Sequence, residues 1–472
     1  MFESLKLSQF FRKTLITLCF FLFGLFALFS FGLFICKGLW FAFNRCDFTD
    51  IAPYHIATQI VKDGKASKLY DFTVQTQYLD SLFKPYLKAL ENQDTKPIYI
   101  AEREWLMIKA KVVHQNYYYY PPISLVFLYL LSSLSPSGLW IFINSFSLIS
   151  FGLVCWLACK DLQLPYKSFY VLAFLIACIA FFPFKQNFFY SQISLILSVC
   201  FYLYFYFQKQ GNYLAAGIFL SLCLLKPHFG LPFLLLPILF KQFKTLFCCM
   251  LSLFCLSMIG LFFIGPIGYE QYFKAIIQLT GLQDFGLFVP SPVGGSEIDF
   301  ESIYGQLKKW LGSKEKANFF ANVFNLFFLG LTVFIALFKT GKEKFQFLQK
   351  PKENFNKINI FKFCLIALIF LMISSYRMIH DYCLLIVLVL LLWQIGENWV
   401  QKSLFFFCGY SMFFLILNSS FIPNRLLVEK FQIHTIVLFA LSMIGLMFWE
   451  LIINTKQFTE NTDSTKNSLE KH

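Results

Sequence analysis

The chain has 472 residues, of which 58% are hydrophobic and only 14% charged, and its formal net charge is +14. So little charge excludes an ordinary soluble domain, where about a quarter of the residues are charged. Mean hydropathy of +0.62 and recurring apolar runs of about twenty residues read instead as an all-α polytopic membrane protein, its basic excess facing cytoplasm and anionic headgroups rather than nucleic acid.

Residues 1–13 carry Lys6, Arg12 and Lys13, which place them in the cytoplasm. Residues 14–36 are almost purely apolar, too long for a signal-peptide core, and no small-residue cleavage site follows, so they read as a retained first transmembrane helix. Residues 37–117 are far more polar, and a loop of that length translocates whatever its charge, so they are placed outside the cytoplasm. Within that loop 51–63 reads as a short helix with Ile56 and Ile60 on one face and Gly64 after its last turn. The stretch 70–90 reads as an amphipathic helix lying on the membrane.

Tyr117 to Tyr120, followed by Pro121 and Pro122, set aromatic rings at the interface and stiffen the turn into 123–134. Apolar runs follow at 138–157, 169–184 and 188–207. The run 213–240 is interrupted by Lys226, Pro227 and His228. An intramembrane lysine is costly and proline removes a backbone hydrogen bond, which suggests a discontinuous helix lining a polar cavity. A lysine snorkelling from one end of a helical hairpin is the equal alternative. A span at 245–264 closes a bundle over 118–264, and 265–315 reads as a second extracytoplasmic loop. The C-terminal bundle, 316–454, takes spans at 319–338, 360–374, 382–400, 403–417 and 433–453, with a lysine-rich cytoplasmic loop at 339–358. Residues 455–472 read as a disordered cytoplasmic tail. With 213–240 as one broken crossing the chain has about twelve transmembrane helices and two large extracytoplasmic loops. All cysteines but Cys46 lie in or beside apolar runs and read as small hydrophobes.

Chemistry needs charge, and the apolar runs hold or adjoin little of it: Lys185, Lys226, His228, Arg377, His380 and Asp381, each a functional candidate by its position. For Asp381 the spacing favours a helix N-cap, because the apolar run 382–393 begins directly after it. Asp47 and Asp50 are the first carboxylates after the first span. Asp50 can cap the helix that follows it or act as a base, and composition does not decide between the two. Sugar transfer from a lipid phosphate needs one base for the acceptor hydroxyl and cations beside the phosphate, and this inventory supplies both. No P-loop, HExxH or Gly-x-Ser-x-Gly motif is present, so the common soluble signatures add nothing. A lipid-linked-sugar flippase or other transporter is the rival reading, but it has little need of a long polar outer loop.

Several short motifs share an order. Asp50-x3-Tyr54-x2-Ala57-x6-Gly64, then Leu69, Tyr70 and Asp71, resembles the start of the first outer loop in glycosyltransferase family 87. Tyr120-Pro121-Pro122 looks like that family's Tyr-Pro-Pro before the second span. Ser191-Gln192 stands where the family often has Gly-Gln, and Ala216-Gly217 and Lys226-Pro227 resemble its Ala-Gly and Lys-Pro. Ser374-Ser375 with His380-Asp381 resembles its late Ser-Pro…Asp segment, with Ser375 in place of the proline. The resemblance implies a GT-C fold with long outer loops after the first and seventh spans. It also implies an inverting hexosyltransferase of the plasma (inner) membrane that uses a polyprenyl-phosphate sugar, usually mannose, with a lipid-linked or glycan acceptor at the outer face. The family's catalytic Asp falls on Asp50, with Asp47 as second choice. Tyr54, Tyr120, Lys226, Arg377, His380 and Asp381 are the expected substrate-binding residues, among them Lys226, Arg377 and His380 for the donor phosphate. Membrane lipids are the expected surroundings, and no metal or cofactor is expected.

Overall fold

The computed structural model describes residues 29, 32, 35, 36, 39, 51–91, 118, 120–161, 167–280, 307, 311–337, 357–373, 379–417 and 439–452. Among these residues every regular element is helical.

Helix α1, Ile51–Lys62, buries Ile51, Tyr54, Ala57 and Ile60. It ends as its sequence predicts: Gly64 adopts φ 72°, Gly64 N donates to Val61 O at 3.1 Å and Lys65 N to Ile60 O at 3.0 Å. That paired bonding is the glycine-terminated helix stop in which a left-handed residue satisfies the last carbonyls. Helix α2, Phe72–Glu91, packs back on α1. After the two prolines come a short 3-10 turn, Pro122–Ser124, helix α3, Leu125–Leu130, and helix α4, Pro136–Asp161. Gln75 ties this start to the outer helices: its Nε2 donates to Leu69 O at 2.7 Å and its Oε1 accepts from Tyr118 N at 2.7 Å.

Helix α5, Lys167–Ala180, and the start of helix α6, Phe182–Phe189, take up the span expected over 169–184. The described run Tyr170–Ala180 meets Phe182–Phe189 at 57°, because Pro183 starts a new helix and Phe181 before it is extended (φ −69°, ψ 119°). The expected span 188–207 is likewise interrupted, and helix α7 begins only at Ser194 and runs to Lys209. Helix α8, Tyr213–Leu222, runs through a 3-10 turn, Cys223–Leu225, into Lys226, whose backbone is extended (φ −125°, ψ 91°). Short pieces follow: α9, Pro227–Gly230, a 3-10 turn, Leu231–Leu234, and α10, Leu235–Leu239. The run 213–240 is therefore a broken helix, with the break at Lys226 and Pro227.

Helix α11, Phe243–Thr280, continues past Ile264, where the second outer loop was expected to begin. The backbone of Gly265 (φ 66°, ψ 178°) is not helical, and with Pro266 it divides α11 into two helical segments that meet at a kink. Helix α12, Lys314–Leu337, precedes α13, Lys357–Ile373. A 3-10 turn, Ile379–Cys383, leads into α14, Leu384–Trp393. The boundary expected near 401 falls at Gly396 (φ 144°), after which α15 runs Glu397–Leu417. Helix α16, Phe439–Ile452, is the last described element.

Burial divides these helices. All ten residues of α14 are buried, as is nearly all of α13, although neither has a polar face: they form the centre of the bundle. By contrast α11 and α12 leave Phe247, Phe254, Phe262, Leu326 and Phe327 exposed, an apolar surface far larger than a soluble monomer leaves open. Three described helices are long and apolar enough to cross a membrane, within Pro136–Lys160, Phe243–Ala275 and Glu315–Leu337, and the bent α5–α6 pair makes up to four. The expected count of about twelve goes beyond what these lengths establish.

Candidate functional site

Three interruptions meet in the middle of the bundle. They are the α6–α7 junction, the break at Lys226 and the 3-10 turn Ile379–Cys383, which packs on both α6 and α7. Each interruption frees backbone and polar side chains that an unbroken helix would not present.

The first has a specific local cause. Helix α6 stops with Ser191 N donating to Phe188 O at 3.2 Å and Gln192 N to Asn187 O at 2.9 Å, the same stop that ends α1. Here the left-handed residue is Ser191, at φ 51°, in the place where a glycine carries no steric penalty. The resemblance to a Gly-Gln pair therefore has a physical basis. The serine is held by Asn144, whose Nδ2 donates to Ser191 Oγ at 2.8 Å. Asn187 Oδ1 accepts from Leu195 N at 3.1 Å and so caps the first turn of α7, while Gln192 is left pointing between the helices.

At the second interruption Lys226, only 5% exposed, carries its ammonium to Asp381 Oδ1 at 2.7 Å, Ser194 Oγ at 3.0 Å and Gln192 Oε1 at 3.3 Å. Ser194 in turn donates to Asp381 Oδ1 at 2.6 Å, and His228 Nε2 lies 3.5 Å from Asp381 Oδ2. Asp381 is fully buried. It lies inside the 3-10 turn, and the N-cap position of α14 is Cys383, so the expectation that Asp381 caps a helix is corrected. A carboxylate beside a buried ammonium gains more from the ion pair than from a backbone N–H, and desolvation makes each charge need the other. The snorkelling alternative for Lys226 is also set aside, because its ammonium faces inward.

From Gln192 a chain of hydroxyls leads outward. Tyr120 donates to Gln192 Oε1 at 3.4 Å, and Tyr54 on α1 donates to Tyr120 at 2.5 Å. Tyr70 fixes the same segment by donating to Tyr120 O at 2.6 Å, and the rings of Tyr54, Tyr118 and Tyr120 pack at 5.1–5.6 Å. Of the residues singled out from sequence, Tyr54, Tyr120, Lys226 and Asp381 thus fall in one connected group. Asp47, Asp50 and Arg377 lie outside the described residues, as does the side chain of His380. Gln192 and Ser194 were not picked as site residues. The first was visible in the Gly-Gln-like pair, but nothing in its spacing named a partner.

A helical bundle with exposed apolar helices that buries a lysine–carboxylate pair where three helices break has the character of a membrane protein. Residues 118–344 match the model of glycosyltransferase family 87, the family that the motifs resemble. The match takes in Tyr120, Gln192 and Lys226 and ends before Asp381. Comparison with curated proteins and with solved structures finds no match. Glycosyl transfer is the activity class the family carries, and the exposed apolar helices fit its membrane setting.

Proposed function

We propose that the protein transfers a hexose, mannose by preference, from a polyprenyl-phosphate donor to a lipid-linked or glycan acceptor at the outer face of the membrane. The observation that carries this reading is the buried ammonium of Lys226 at a helix break within the family-87 region. A lysine kept at such depth suits an anionic headgroup delivered by a lipid. In the proposed reaction the acceptor hydroxyl oxygen attacks the anomeric carbon from the face opposite the phosphate. The bond from that carbon to the phosphate oxygen breaks, and its electron pair leaves with the polyprenyl phosphate. The hydroxyl proton passes to the Asp50 carboxylate, and configuration inverts. Lys226, with Arg377 and His380 from the later segment, stabilises charge growing on the phosphate. Phosphate leaves as a stable anion, so the scheme asks for one base and no acid.

The test is transfer of radiolabelled mannose from a short-chain polyprenyl-phosphate mannose by purified protein, with extracted membrane lipids as acceptor. Label is expected in a new glycolipid with wild type and to fall by about three orders of magnitude or more with Asp50→Asn, as when a positioned base is lost. Equal transfer by both would move the base to another carboxylate, Asp47 first.

A further inference from the structure

An ammonium has three donors and accepts nothing. Among the described residues Lys226 meets three acceptors: Asp381 at 2.7 Å, Ser194 at 3.0 Å and Gln192 at 3.3 Å. For a lipid phosphate to reach this ammonium, one of its acceptors must let go. Asp381 is held hardest, because releasing it would strand a buried carboxylate. Ser194 is locked to it by its own bond to Asp381. Gln192 is neutral and makes the longest contact, and its Oε1 already has a second donor in Tyr120, at 3.4 Å. Two donors thus compete for one amide oxygen, each at long range. Tyr120 also accepts from Tyr54 at 2.5 Å, which polarises its own O–H and makes it the better donor.

We propose that Gln192 is a positioning residue of the transfer site: its amide oxygen yields Lys226 to the phosphate of the lipid donor and passes to Tyr120. This rests on the reading of Lys226 as a donor-phosphate ligand. It adds a link to the outer loop, because the residue that takes up the amide, Tyr120, is bonded to Tyr54 on α1, the helix that directly follows Asp50.

Competition for one oxygen gives opposite signs to two neighbouring substitutions. Gln192→Met removes the acceptor that competes with phosphate, so farnesyl phosphate should bind about threefold to tenfold more tightly, the worth of one exchanged hydrogen bond. Tyr120→Phe removes the other described donor to the amide oxygen, leaves that oxygen on Lys226, and should weaken binding by a similar factor. Tyr54→Phe should act in the same direction but less. The measurement is calorimetric titration of farnesyl phosphate into the full-length protein in detergent, for wild type and the three variants. A purely structural role would weaken binding in all of them, so loss or no change with Gln192→Met overturns the proposal. The double variant Lys226→Met, Asp381→Leu removes both charges, leaves neither stranded, and should lose the ligand. Undiminished binding by that variant, or none by wild type, overturns the underlying reading of Lys226. Same-sign changes in a wild type that does bind overturn only the role of Gln192. Inorganic phosphate, run in parallel, should not bind, and binding as tight as that of farnesyl phosphate would overturn the lipid assignment.

Discussion

Lys226 and Asp381 lie 155 positions apart, and each is buried on account of the other. Replacing either alone leaves an uncompensated charge in the bundle, a loss of about 3–5 kcal/mol. Lys226→Met and Asp381→Leu should therefore each lower the thermal unfolding midpoint in detergent, and the double variant should unfold later than either single one. Two midpoints that simply add would mean the pair is not coupled. On α2 Tyr78 donates to Asp63 Oδ2 at 2.5 Å. Burial, and after it the Asp63 carboxylate, holds the phenol proton, so the Tyr78 pKa rises from 10.0 to about 12. A pKa raised by folding adds stability that is fully present below pH 10.0 and lost as pH climbs through about 12. Tyr78→Phe should remove that part of the alkaline loss, which a series of unfolding midpoints against pH would register. Residue chemistry was half legible in the sequence. Lys226 declared itself because a lysine in an apolar run is expensive, but its partner is chosen by packing between distant segments. Local spacing therefore gave Asp381 the cap role that fits its sequence neighbours.

Helix breaks were legible where proline or glycine stood beside a charge, as at Lys226-Pro227 and Gly64. They were missed where the interrupting residue itself is buried, at Phe181 before Pro183 and at Ser191 in the left-handed position, and also at Gly396, although it stands beside Glu397. Hydropathy measures what a stretch prefers to touch and is blind to a turn made of residues that are buried anyway. Gly217 gives the element scale its own prediction. Helix α8 packs on α11, and a methyl group built on Gly217 would lie 2.6 Å from Cys249 N and Cys248 Cβ. Backbone cannot yield as a side-chain tip can, so Gly217→Ala must push the helices apart, a loss of about 1–3 kcal/mol. Gly152 in α4 has nothing within 4 Å of such a methyl, and there alanine should gain about 0.5–1 kcal/mol of helix stability. Thermal shifts of opposite sign for the two glycines would establish that the Ala216-Gly217 pair is there for helix contact.

For the whole molecule the central question is what covers the outer helices. Phe254 sits near the middle of the apolar run 245–264 and is 61% exposed. On a soluble protein, exchanging an exposed phenylalanine for arginine is close to neutral or helps solubility, because water already surrounds the site. If α11 crosses a bilayer, the same arginine enters hydrocarbon at the depth where a charge opposes insertion by about 2.5–3.5 kcal/mol. Phe254→Arg should then reduce membrane integration of a reporter carrying residues 243–264 and lower the yield of full-length protein in the membrane fraction. Phe247→Arg, about two turns nearer the helix end and 69% exposed, should do so less, since a terminal arginine can reach the interface. The depth gradient separates a bilayer from a protein partner, which would respond to local packing and not to distance from a midplane. Equal integration of wild type and Phe254→Arg would remove α11 from the membrane, and with it the lipid route by which a donor phosphate is proposed to reach Lys226.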